Sequence, residues 1–292
     1  MEYHWVHSSE QMEQITTQKF IKYCFDDKIK SLPAGITHIK FYDEFSQPVS
    51  NLPETCIYLE FGTKFTKRVD SLPKNLETLV FGDNFCQPVD NLPNKLKTIV
   101  FGEKFNCSVN NLPASLSTIM FSSKFNKSVD KLPKSLKKLR FGYSFDRRVN
   151  SLPASLTHLI FGKCFNSRVC HLPPNLQFLT FGDDFNREID FLPDSITYLY
   201  FGASFDRPID KIPQSLKSVG FNSKSSVRDY IPPVEEIEIH VTEDKNTISN
   251  IPSTVQKIKI LKKTYGRIKT IEKIPFGCVM TMTNTSYSEL NL

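Results

Sequence analysis

The chain has 292 residues, with 39% hydrophobic residues, 23% charged residues and a formal net charge of +6. This composition belongs to a soluble, folded class and excludes a disordered or collagen-like chain. The charge is modest for the length and spread along it, so by itself it does not argue for nucleic acid. Alanine is scarce, which weighs against a helical repeat architecture.

The first stretch, residues 1–24, follows no period and holds the single tryptophan, Trp5. It lacks the apolar core of a signal peptide. A terminal segment of a repeat stack differs from the rest because one of its faces meets water, so 1–24 reads as an N-terminal cap with a short helix from Ser9. His4 and His7 lack the further spaced ligands that a zinc site needs.

From residue 25 the chain repeats itself. Phenylalanine recurs every twenty residues from Phe41 to Phe221, a second phenylalanine from Phe25 to Phe205, and proline from Pro33 to Pro213. A fixed period this short is the mark of a solenoid, a stack of identical small coils. In one copy, Leu176-Gln-Phe-Leu179-Thr-Phe181 has the leucine-rich-repeat spacing L-x-x-L-x-L, with Leu179 and Phe181 inward and Phe178 and Thr180 outward on a strand. Stacked copies then pair as a parallel sheet. Glycine follows the strand in seven copies, while Tyr42, Ser122 and Asn222 stand there in others, which fits a tight corner. After the second phenylalanine comes a small polar residue suited to a turn through local backbone bonds. Leu-Pro then keeps the back of the coil extended, and twenty residues leave no room for a real helix. The expected fold is mainly β, a leucine-rich-repeat-like solenoid over 25–230, with degenerate copies and a C-terminal cap over 231–292 and a frayed tail after Asn284.

Two phenylalanine ladders and a Leu-Pro ladder coincide over about 25–225, and Phe185-Asn-Arg-Glu-Ile189 and Phe205-Asp-Arg-Pro-Ile209 recur within them. This pattern resembles the FNIP repeat, a leucine-rich-repeat relative common in amoebae and the large DNA viruses that infect them. The resemblance implies a protein-interaction scaffold and supplies no catalytic residues. Some members carry an F-box or a kinase domain ahead of the repeats, for which the leader here is too short. The ubiquitin-ligase adaptor role that an F-box suggests is kept as an alternative.

No nucleotide loop, metal-ligand spacing or catalytic triad stands out, so neither an enzyme nor a cofactor is expected. Seven cysteines, an odd number at scattered repeat positions, show no disulfide framework and point to reduced thiols in the cytosol or nucleus, with the cytoplasm the expected location. Specificity must come from residues the repeat does not dictate. On the outward strand face these are Val80, Val100 and Met120, then Lys138 and Arg140, then His158, Ile160, Phe178, Tyr198 and Tyr200. Exposed aromatic and arginine residues in a patch favour a protein partner. A second set, Lys67, Arg68, Lys127, Arg147, Arg148, Arg168, Arg187 and Arg207, lines one edge, and a basic run extends from Lys257 to Lys273. These could touch phosphate or an anionic surface, but Asp70, Asp90, Asp130, Asp190 and Asp210 follow closely and offset them.

Overall fold

The computed structural model describes residues 2–8, 10–11, 15, 17–29, 32–241, 248–262, 271 and 273–284. The expected tail after Asn284 and part of the C-terminal basic run (Lys263, Arg267, Lys269) lie outside these residues, as does Ser9. Glu10 and Gln11 are helical. The chain divides into two compact units. The first comprises 1–145 and 151–153, and the second 146–150 and 154–292. No helix among the described residues is long and apolar enough to cross a membrane.

The first unit holds eight strands: β1 (His4–Val6), β2 (Phe20–Tyr23), β3 (His38–Phe41), β4 (Tyr58–Glu60), β5 (Thr78–Val80), β6 (Thr98–Val100), β7 (Thr118–Met120) and β8 (Lys138–Arg140). Each pairs in parallel with the next, and from β3 onward the register is the twenty-residue period itself, for instance Leu79↔Ile99↔Ile119. β1 and β2 join the same sheet through His4↔Ile21 and Ile21↔Ile39. β1 and β2 thus add shorter coils to the stack, seventeen residues from His4 to Ile21 and eighteen from Ile21 to Ile39.

The second unit holds β9 (His158–Ile160), β10 (Phe178–Thr180), β11 (Tyr198–Phe201), β12 (Ser218–Asn222), β13 (Glu236–Val241), β14 (Lys257–Lys262) and β15 (Val279–Asn284), again parallel in chain order. The fold is thus mainly β, a leucine-rich-repeat-like solenoid of short coils. Each regular coil is a three-residue strand followed by tight turns joined by extended pieces. One turn follows the proline, where Leu76 N–H donates to the Pro73 carbonyl at 3.1 Å.

The core is a set of ladders. Phe101 and Phe105 stack within one coil at 3.9 Å, and Phe105 meets Phe85 and Phe125 at 6.2 and 6.1 Å in the coils on either side. Leu176, Leu179, Phe181, Phe185 and Ile189 are buried as the spacing requires, but Leu172 is only half-buried. The leucine before proline varies: Leu52, Leu92 and Leu132 are buried, while Leu72, Leu112, Leu152 and Leu172 lie at the rim of the core.

Three local expectations are refined. The glycine after the strand does not need an unusual φ, since the positive-φ residues among those described are Asn51 and Gly277. It is needed for close approach: a Cβ on Gly82 would stand 2.0 Å from the Gly62 carbonyl oxygen of the preceding coil. In at least four coils the polar residue after the second phenylalanine bonds to the next coil. The Asn106, Asp146, Asn166 and Asn186 side-chain oxygens accept from the backbone N–H of Asn126, Asn166, Asn186 and Asp206, at 2.9–3.1 Å. The position acts as an acceptor, so Asp serves as well as Asn. Finally, Ser225 replaces the second phenylalanine in the copy over 211–230. There a 3-10 turn (Ser226–Asp229) follows, capped by the Ser225 hydroxyl, and it brings Val227 into the core with 2% of its surface exposed.

Candidate functional site

In a parallel sheet, alternate side chains point away from the core and equivalent residues of successive strands form columns. On the first unit Val80, Val100 and Met120 are direct register partners and form one column, with Thr78, Thr98 and Thr118 beside it. Arg140 and Lys138 follow at their ends through β7–β8 pairing. All are half-buried.

The N-terminal end of this face holds a cluster that the sequence reading passed over. Tyr3, Phe20, His38 and Tyr58 follow one another with ring centroids 6.0, 4.6 and 5.5 Å apart. Lys22 Nζ sits 4.1 Å above the Trp5 ring. Lys40 pairs with Glu60 at 2.7 Å, and the Tyr58 hydroxyl donates to the same carboxylate at 2.5 Å. Burial, then the Glu60 carboxylate, holds the Tyr58 hydroxyl well above its usual range. β1 and β2 fall outside the strict period, so the column they complete cannot be seen from the repeat alone.

On the second unit His158, Phe178 and Tyr198 form an aromatic column. The ring centroids are 5.6 Å apart for His158–Phe178 and 4.3 Å for Phe178–Tyr198, the latter pair stacked nearly parallel at 2°. These three are half-buried and keep ring surface open to solvent. The neighbouring column differs: Ile160, Thr180 and Tyr200 are only 8, 7 and 7% exposed. Ile160 and Tyr200, expected as contact residues, therefore have little surface left to offer.

Beyond Tyr198 and Tyr200 the face closes over a polar cluster. Gly220 occupies an outward position of β12. A Cβ there would come within 2.7 Å of Tyr200 Cδ2 and 2.9 Å of the Tyr198 hydroxyl, so the glycine lets both tyrosines lean across its strand. The Tyr198 hydroxyl then donates to Glu238 Oε1 on β13 at 3.1 Å, two coils away. His240 Nε2 lies 2.6 Å from the same oxygen, and the Tyr200 ring is 4.6 Å from the His240 ring. Glu236 pairs with Lys259 at 2.5 Å and Lys257 at 3.5 Å.

Burial, reinforced by Glu238, pushes the Tyr198 hydroxyl well above its usual range. Burial alone would raise the Glu238 carboxyl, but hydrogen bonds from His240 and Tyr198 and the charges of His240 and Lys259 outweigh it, leaving the carboxyl below its ordinary range. Tyr198 is thus a neutral donor and Glu238 a held anion. The arrangement fixes two tyrosines and presents no activated nucleophile. Gly220, Glu238 and His240 were missed in the sequence, although a glycine at an outward strand position was a visible signal.

The eight basic residues of the edge are exposed and divide between the units, with Lys67, Arg68 and Lys127 on the first and Arg147, Arg148, Arg168, Arg187 and Arg207 on the second. Arg68 pairs with Asp70 at 2.9 Å, and Arg187 Nε donates to the Asn166 carbonyl at 2.7 Å. The edge is of mixed sign, and part of its charge is engaged within the protein.

The repeat itself decides the family. The FNIP Repeat model matches residues 25–64, 68–104, 125–164 and 188–224, together more than half of the chain. This chain belongs to the FNIP repeat family. Among solved structures it is similar to CroV588, described as a novel circular LRR protein, with 28% identity and a TM-score of 0.66 over 90% of this chain and 49% of that one. The FNIP chain thus spans about half the length of that relative. It also matches YopM from Yersinia enterocolitica WA-314, at 16% identity and a TM-score of 0.44, over 90% of this chain and 64% of that one. None of the curated proteins compared matches it.

Proposed function

We propose that this FNIP-repeat chain is a protein-interaction scaffold without an enzymatic activity of its own, working in the cytoplasm, and that it holds its partner on the outward face of the strands. The fold supports the general role, since leucine-rich-repeat-like solenoids are typically binding scaffolds. The choice of face rests on one observation: the His158–Phe178–Tyr198 column keeps solvent-facing rings in a fixed row, anchored at one end by the Tyr198–Glu238 bond. Pre-ordered aromatic surface binds at low entropic cost and supplies most of the energy in protein interfaces. The partner is a protein surface carrying an apolar anchor that lies across these rings. On the first unit, Val80, Val100 and Met120 with Lys138 and Arg140 form the corresponding patch.

The basic edge is the less favoured face, because two of its eight cations, Arg68 and Arg187, are already engaged by Asp70 and a backbone carbonyl. The test is affinity capture with the wild-type chain and with a His158→Ala/Phe178→Ala variant whose fold is verified by circular dichroism. Proteins captured by the wild type are expected to fall at least about tenfold with the variant, as the loss of about 1.4 kcal/mol or more at a contact would give. The same proteins at the same yield would overturn the placement.

A further inference from the structure

The cysteines read from the sequence as scattered come together once in the stack. Cys86 directly follows Phe85, and Cys107 lies two residues beyond Phe105. In a twenty-residue coil, positions 21 apart meet on neighbouring turns. The two Sγ atoms are 3.8 Å apart, and the Cys107 thiol also donates to the Cys86 carbonyl at 3.5 Å. The pair is held from beneath by the core, where the Phe85 and Phe105 rings stack at 6.2 Å and 7°. Coils about 4.8 Å apart and a one-residue offset of about 3.3 Å along the chain put the two α-carbons roughly 6 Å apart, within the ~4.4–6.8 Å that a disulfide spans. Both thiols can be reached: Cys86 is exposed, and Cys107 is half-buried in an open groove lined by Asn106, Ser108, Lys127 and Ser128. Cys56, by contrast, is buried, and its thiol is pushed up to about 12 by that burial.

We propose that Cys86 and Cys107 are a dithiol–disulfide couple that exchanges with small disulfides of the glutathione type. The exposed Cys86, as thiolate, attacks one sulfur of the oxidised small disulfide, whose S–S bond breaks and releases one glutathione thiolate. Cys107 gives its proton to solvent and attacks the Cys86 sulfur of the mixed disulfide. The Cys86–Cys107 bond forms as the second glutathione thiolate leaves. Two protein thiols are oxidised and one glutathione disulfide is reduced to two thiols, so the electrons balance with no further reagent. Burial and the neighbouring Cys86 hold the Cys107 thiol above its usual range, and Lys127 in the same groove only partly offsets them, so the exposed Cys86 attacks first and Cys107 resolves. The product is a covalent staple between adjacent coils of the first unit.

The experiment equilibrates the full chain in glutathione buffers of graded redox ratio, quenches with a thiol-blocking reagent and maps the peptides by mass spectrometry. The wild type is expected to give the Cys86–Cys107 cross-link at buffer ratios at least about tenfold more reducing than those that oxidise any other cysteine. In Cys107→Ser, a glutathione adduct should accumulate on Cys86. Stable adducts on both cysteines without the cross-link, or cross-links distributed among all the accessible cysteines, would overturn the proposal. So would a Cys86 that gains no adduct in Cys107→Ser, because it would not be the attacking thiol.

Discussion

At the residue scale, the side chains that look most like turn formers are intercoil acceptors. Asn166 shows both halves of the role. Its N–H donates to Asp146 Oδ1 at 3.0 Å, and its own Oδ1 accepts from the Asn186 N–H at 3.0 Å. Because only an acceptor is required, Asn166→Asp should leave the denaturation midpoint nearly unchanged. Asn166→Ala leaves the Asn186 N–H without that partner and should cost about 1 kcal/mol in urea unfolding. If the two variants were equally destabilised, the acceptor role would be wrong. The sequence showed Asn or Asp at this position in coil after coil, but a bond within a turn and a bond to the next coil put the same letters in the same place. Only the stacking distance separates them. The glycine after the strand is a parallel case: its recurrence was plain, but its cause, a carbonyl 2.0 Å from where Cβ would stand at Gly82, belongs to the neighbouring coil.

At the scale of the elements, the period translated directly into register wherever coils keep twenty residues. Inward Leu79, Ile99 and Ile119 and outward Val80, Val100 and Met120 fall where alternation puts them. It failed where the period lapses. β13 pairs with β12 across a shorter coil, Val219↔Ile237 being eighteen residues apart, so the meeting of Tyr198, Gly220, Glu238 and His240 could not be counted out from the repeat. The buried column of Ile160 and Tyr200 escaped for a related reason, since alternation tells direction and not what neighbouring side chains, such as His240 against Tyr200, will cover.

The β11–β13 cluster also carries a pH signature. The Glu238 carboxyl titrates below its ordinary value of 4.5 in the folded chain. A lowered folded pKa means the unfolded state takes up the proton first. The stabilisation is therefore complete above the unfolded value and is lost as pH falls through the folded one. The difference in Tm between the wild type and Glu238→Gln should accordingly be largest near neutral pH and shrink below about pH 4.5. A difference independent of pH would mean that the Glu238 charge does not hold the two tyrosines.

At the scale of the whole molecule, stacking provides two kinds of surface. The inner ladders are fixed by the fold and repeat with little variation, as the second phenylalanine does from Phe25 to Phe205. The outward columns are free to vary, and on the second unit they vary toward stacked aromatic rings while their far end is locked by hydrogen bonds. That division makes a scaffold whose core is general and whose face is particular. The most direct measurement is site-specific photo-crosslinking, with a benzophenone side chain introduced at Phe178 on the outward face or at Phe191, which is 68% exposed and lies off the strands. The partner protein should be crosslinked from position 178 and not from 191. Crosslinking from 191 with none from 178 would contradict the account.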